Sequence, residues 1–143
     1  MYGEHSRADA RDFASYLAAK AYKARNKGDP YYVEAAVAGV RDGDSYLCCV
    51  DLYGNQYQTN VLTTGIARML CPPIIDARYR PDMPVEDAKA VLLDCFKALY
   101  ARYSLADREV ALCVVSEESV REERAVIDIP YNFRGYVHKE DIM

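Results

Sequence analysis

At 143 residues the chain is long enough for one domain with a buried core, and 51% apolar against 28% charged residues is globular, not disordered, composition. A net charge of −4 argues against nucleic acid as a partner, because such partners demand a basic footprint. No apolar run approaches the ~20 residues that a membrane-spanning helix needs.

The opening Met1-Tyr2-Gly3-Glu4-His5 has neither the basic nor the apolar region of a signal peptide. A helix is expected from about Arg7 to Asn26, with Ser6 and Asp9 forming a capping box and Ala10, Phe13, Leu17 and Ala21 one apolar stripe. Lys20, Lys23, Arg25 and Lys27 complement the negative end of its dipole, and Gly28 and Pro30 stop it.

Strands are expected over Tyr31 to Val40, Ser45 to Asp51 and Gln56 to Val61, joined by turns at Arg41-Asp42-Gly43-Asp44 and Gly54-Asn55. The runs Ala35-Ala36-Val37-Ala38 and Leu47-Cys48-Cys49-Val50 do not alternate, which predicts strands covered on both faces. Thr64 is a candidate cap for a second helical stretch that Pro72-Pro73 interrupts. A long helix follows from Pro84 to about Tyr103, with Ala88, Val91, Leu92, Cys95 and Leu99 on its buried face. Val110 to Ser116 reads as a buried strand, and Val120 to Ile129 as an alternating edge strand ended by Pro130. Helices and strands fall in separate clusters, so the fold class is α+β in one domain.

Few residues carry chemistry. His5 and His138 lie near opposite ends of the sequence without neighbouring ligands, so no metal is expected. Glu86-Asp87, Glu117-Glu118 and Glu122-Glu123 read as solvated pairs, and the glycines are scattered turn residues, not a phosphate loop. The five cysteines include no CxxC pair and read as buried reduced thiols of an intracellular protein. On these grounds no catalytic, cofactor-binding or metal residue is expected. Thirteen tyrosines in this length favour surfaces that partners bury.

In order along the chain, Asp29-Pro30-Tyr31-Tyr32-Val33, Val37-Ala38-Gly39 and Val50-Asp51-Leu52-Tyr53-Gly54 resemble the mid-chain hairpin of the proteasome beta-subunit family. Tyr79-Arg80-Pro81-Asp82-Met83, Glu86-Asp87-Ala88 and Leu92-Leu93-Asp94-Cys95 resemble its following turn and long helix, above all in the non-catalytic fourth type. Spacing from Gly65 through Cys95 to Val120 fits that type without gaps. The third type is similar around Pro30 to Gly54, and the seventh in the first helix and in its C-terminal arm.

The resemblance implies the four-layer αββα sandwich of N-terminal-nucleophile hydrolases, lacking its N-terminal strands. It also implies one beta-type domain over 1–143, matching the family's C-terminal two-thirds, with 130–143 as a C-terminal arm; the aromatic-rich stretch that follows Pro130 is itself expected to dock on a neighbouring subunit. The implied function is a non-catalytic structural subunit of the core particle, in the cytoplasm and nucleus. There it would pack with alpha and beta subunits in the stacked rings around the chamber for ATP- and ubiquitin-dependent degradation. No nucleic acid, membrane, cofactor or small-molecule substrate of its own is implied. Active members carry an N-terminal threonine in the part that precedes the point matching Met1, and no threonine here precedes Thr59. Their Gly-Ser-Gly and Arg-Asp steps stand here as Gly65-Ile66-Ala67 and Arg102-Tyr103. A catalytic self-compartmentalising peptidase subunit of the same fold, and a standalone tyrosine-rich binding module, are the alternatives.

Overall fold

In the computed structural model, which describes residues 8–103 and 106–128, the first element is helix α1, Ala10–Asn26. Its capping box is Asp9 with Asp12. Asp9 Oδ1 accepts from the Arg11 and Asp12 amides at 2.8 and 3.0 Å, and Asp12 Oδ2 accepts from the Asp9 amide at 3.1 Å. Asp9 therefore supplies the cap that was expected of Ser6, which lies outside the described residues. Those amide bonds, Asp12 N–H first, hold the Asp9 carboxyl below its ordinary value. At the other end Gly28, at φ +79°, closes a Schellman motif in which the Gly28 and Asp29 amides reach the Arg25 and Ala24 carbonyls.

Strands β1 (Ala35–Arg41), β2 (Asp44–Val50) and β3 (Gln56–Gln58) form an antiparallel sheet in the order β1-β2-β3, with Ala35 opposite Val50 and Cys49 opposite Tyr57. The β1–β2 turn is Asp42-Gly43, both at positive φ, as a two-residue type I′ hairpin requires. α1 packs on one face of this sheet, where Ala14, Ala18, Val37, Tyr46, Cys48 and Val50 form the core.

Two expectations are corrected here. Phe13 is 57% exposed, and the buried stripe of α1 is Ala14, Ala18 and Ala21. The reason is separation: a Cβ on Gly39 would stand 2.5 Å from Ala10 Cβ, and one on Gly54 2.6 Å from the Ala18 carbonyl oxygen. Alanines take the most buried positions of a helix held that close to the backbone beneath it, with Ala10 and Leu17 half-buried beside them. β1 also alternates, with Val37 buried between exposed Ala36 and Ala38, whereas β2 is buried from Cys48 through Val50. Only β2 has the two-sided cover expected of both.

The second helical stretch is two short helices, α2 (Ala67–Leu70) and α3 (Pro72–Arg78), split at the Pro72-Pro73 break. Ile66, not Thr64, stands at the start of α2, without a side-chain cap bond. α4, Val85–Arg102, buries Val91, Cys95 and Leu99 and packs on α3, where Arg78 pairs with Asp94. Leu92, expected on that face, is exposed. Strands β4 (Glu109–Val115) and β5 (Val120–Val126) make a second, two-stranded sheet. β4 buries Val110 and Leu112 as expected, but the alternation of β5 buries nothing comparable, with Val120 and Val126 both exposed. Pro130, the expected stop of β5, lies outside the described residues.

The described residues group into two compact units. The first runs to Gly65 and includes Val115–Val120. The second takes Ile66–Val114 and resumes at Arg121.

Candidate assembly surface

Because alanines line the inner side of α1, its aromatic side chains are left outside. Phe13 and Tyr16, 57% and 60% exposed, share one helical stripe with Lys20, whose Nζ lies 5.4 Å above the Tyr16 ring. Toward the helix C-terminus, Tyr22 lies against the turn at Gly54, and the Arg25 guanidinium stands 5.8 Å over the Tyr53 ring. Tyr31, Tyr32 and Val33 follow in the loop before β1, with Tyr32 at 89% exposure. Rings capped by cations combine large apolar area with a polar rim, the composition of surfaces that protein partners bury.

At the opposite end of α1, a charged cleft of about 500 Å³ lies between Asp9, Arg11, Arg41, Asp42 and Glu117. Its charges serve the local fold. Arg41 pairs with Asp9 at 3.2 Å, Glu117 Oε1 accepts the Asp42 amide at 3.1 Å, and Arg11 lies over the Tyr46 ring at 5.4 Å.

In the second unit, Ile66 and Tyr103 come together in the wall of one cavity of about 370 Å³. Phe96, Leu99 and Val110 line it as well, together with Asp107 and Glu109. Glu109 is engaged by Arg124 at 2.8 Å. Ile66 brings a purely aliphatic side chain to this lining, and Tyr103 an aromatic ring with a phenol.

The thiols point away from nucleophilic chemistry. Cys71 and Cys95 are buried, Cys71 Sγ lies 3.9 Å from the Cys95 carbonyl oxygen, and burial pushes the Cys95 thiol up to about 12. A nucleophilic cysteine needs the opposite shift. Cys49 Sγ donates to Glu34 Oε1 at 3.3 Å, Cys48 is buried, and Cys113 is exposed, against the expectation that the thiols are buried.

The acidic pairs have structural partners. Asp87 binds Arg80 at 2.6 Å, and Glu86 and Glu123 both bind Lys89, at 3.0 and 2.7 Å. Those two carboxylates, Glu123 first, raise the Lys89 pKa. Among the described residues no three His, Cys, Asp or Glu side chains gather as metal ligands. His5 and His138 lie outside the described residues. Sequence reading missed that Gly54 is a contact position and that residues 66 and 103 share a cavity; Gly54 looked like any turn glycine.

The proteasome subunit family model matches residues 1–115. The chain is 32% identical over 117 residues to proteasome subunit beta type-4 of Dictyostelium discoideum, covering 80% of this chain and 45% of the relative. It is 26% identical over 136 residues to proteasome subunit beta type-4 of Arabidopsis thaliana, covering 95% and 53%. To proteasome subunit beta 2 of Pyrobaculum calidifontis it is 30% identical over 100 residues, covering 70% and 49%. The chain thus spans about half the length of the relatives it matches. Its α+β content is that of the family fold and is consistent with the N-terminal-nucleophile hydrolase sandwich.

Proposed function

The chain belongs to the proteasome subunit family, and from that premise we propose that it serves as a non-catalytic beta-type subunit of the core particle. One observation carries the non-catalytic reading: Ile66 and Tyr103 meet in an apolar cavity, at the two steps where active members hold supporting polar groups. Its contribution is packing surface in the ring that encloses the proteolytic chamber, with other alpha and beta subunits as partners. The exposed Phe13, Tyr16 and Tyr32 support that role, since side chains of this kind are buried by neighbours in stable assemblies. A place in the cytoplasm and nucleus, and a single beta-type domain over 1–143, belong to the same proposal.

The test is to purify a tagged chain from native extract and treat the eluate with a threonine-directed covalent inhibitor. The chain should elute only with a multi-subunit particle of alpha and beta subunits, and intact mass should find the adduct on other subunits. An adduct on this chain, or elution as a single species near 16.2 kDa, overturns the reading.

A further inference from the structure

We propose that the outer face of α1 docks on an acidic protein surface, one that sets carboxylates against Lys20, Lys23 and Lys27 and an apolar recess against Phe13 and Tyr16. Such docking is a finer form of the assembly role proposed above and rests on it; it fixes the charge and the orientation of what the neighbour presents.

Phe13, Tyr16, Lys20, Lys23 and Lys27 follow one another at spacings of three, four, three and four. That places them in one stripe, on the side of the helix away from the buried Ala14, Ala18 and Ala21. The stripe is roughly 21 Å long, aromatic in its first half and cationic in its second, and all five residues are exposed.

These three lysines differ from the other cations by what they lack. Lys89 and Lys97, the two other lysines among the described residues, bind Glu86, Glu123 and Asp94. The arginines on the flanks of α1, Arg11 and Arg25, lie over the Tyr46 and Tyr53 rings. Lys20 lies over the Tyr16 ring of its own stripe. Among the described residues no carboxylate stands within ion-pair distance of Lys20, Lys23 or Lys27.

The helix by itself does not account for the column. Its dipole favours cations in the last turn, where Lys23 and Arg25 stand, and does not reach Lys20. Like charges three and four residues apart repel, so the column weakens the isolated helix. In a chain of net charge −4 the complement of such a local column is a surface of opposite sign. A membrane is the poorer match. A helix lying in a lipid surface buries its whole apolar face there, whereas the apolar face of α1 is occupied by the sheet and two rings remain at one end of the outer face. A folded protein can receive two rings in a recess and pair three amines beside it, in one fixed direction along the helix.

The experiment uses the tagged full chain in its native assembly. A carbodiimide joins amines only to carboxylates in direct contact. Peptide mapping should find Lys20, Lys23 or Lys27 of the parent chain joined to Asp or Glu of another polypeptide, a result that does not depend on how any variant folds. Recovery in the multi-subunit particle should fall at least about fivefold when Lys20→Glu, Lys23→Glu and Lys27→Glu are combined, and about twofold in the matching Gln variant, which keeps the helix propensity of the parent. Parental recovery of the Glu variant would overturn the proposal and leave the assembly role standing. So would a particle in which these lysines are joined to nothing, or only to acidic residues of this same chain. Elution of the parent chain alone would remove the assembly role and this docking with it. Retention of the parent chain, but not the Gln variant, on vesicles of phosphatidylserine and phosphatidylcholine would assign the stripe to a membrane and overturn the proposal too.

Discussion

Helices α1 and α4 are close to equal in length, and each buries one stripe, yet they solve the packing problem in opposite ways. α1 buries Ala14, Ala18 and Ala21 and is pressed onto glycines, with the Gly39 and Gly54 backbone where other residues would carry side chains. α4 buries the larger side chains Val91, Cys95 and Leu99 and packs on α3. Periodicity alone treats the two alike. The difference is that the core of α1 is set by backbone approach and the core of α4 by side-chain volume, so the two should fail under opposite substitutions.

The largest effect is expected at Gly54. Its φ of +84° disfavours any side chain, and a Cβ there would meet the Ala18 carbonyl oxygen at 2.6 Å and the Tyr22 amide nitrogen at 2.8 Å, both backbone atoms of a helix that cannot move locally. Gly43 has nearly the same φ, +81°, but nothing within 4 Å. The pair separates conformational cost from collision. Gly43→Ala should cost about 1 kcal/mol, from the left-handed backbone alone. Gly54→Ala should cost roughly 3 kcal/mol or more, because overpacking adds to it. Urea denaturation followed by amide exchange in α1 and β3 measures both. Equal costs would mean that α1 is free to retreat from the turn and that the close approach does not define this core.

The intermediate effect is the reciprocal exchange. Leu99→Ala opens a cavity in the side-chain core of α4 and should cost about 2–5 kcal/mol. Ala18→Leu adds volume where the sheet leaves none and should cost about 1–3 kcal/mol, although leucine is a good helix former and the change adds apolar surface. The sign of the second result sharpens the comparison. If Ala18→Leu stabilises the chain, by the same denaturation measurement, α1 is packed by volume like α4.

How much of this was legible in the sequence follows the same division. α4 was readable because its buried residues are large and apolar, and Val91, Cys95 and Leu99 stand where the spacing places them. The Asp42-Gly43 turn was readable because its chemistry is local. The buried face of α1 was misread because Phe13 outweighs Ala14 on any hydrophobic scale, while the deciding facts, the Gly39 and Gly54 contacts, lie tens of residues away. The meeting of Ile66 and Tyr103 was hidden for the same reason: each was identified singly, by resemblance, and only the path of α4 brings them to one cavity. Chemistry that depends on neighbours along the chain could be read; chemistry that depends on approach across it could not.

The smallest effect on folding is expected where the aromatic surface is largest. Phe13 and Tyr16 contribute little to the core of their own unit, since both are more than half exposed and the face beneath them is filled by alanine. Exposed substitutions away from caps and turns usually change stability by no more than about 0.5 kcal/mol. Phe13→Ser combined with Tyr16→Ser should therefore leave the urea midpoint of the chain nearly unchanged. Loss of the Lys20 contact with the Tyr16 ring removes at most about 1 kcal/mol, the exposed-site limit for a cation over an aromatic face. The same double substitution should reduce recovery of the tagged chain in the multi-subunit particle severalfold, because two large rings vanish from a surface that a neighbour would bury. The two readouts together assign the rings. A large shift in midpoint with normal recovery would make them part of the domain's own fold, covered by its own residues. An unchanged midpoint with lost recovery places them at a subunit contact, and completes the contrast in α1 between an inner face defined by backbone approach and an outer face defined by a partner.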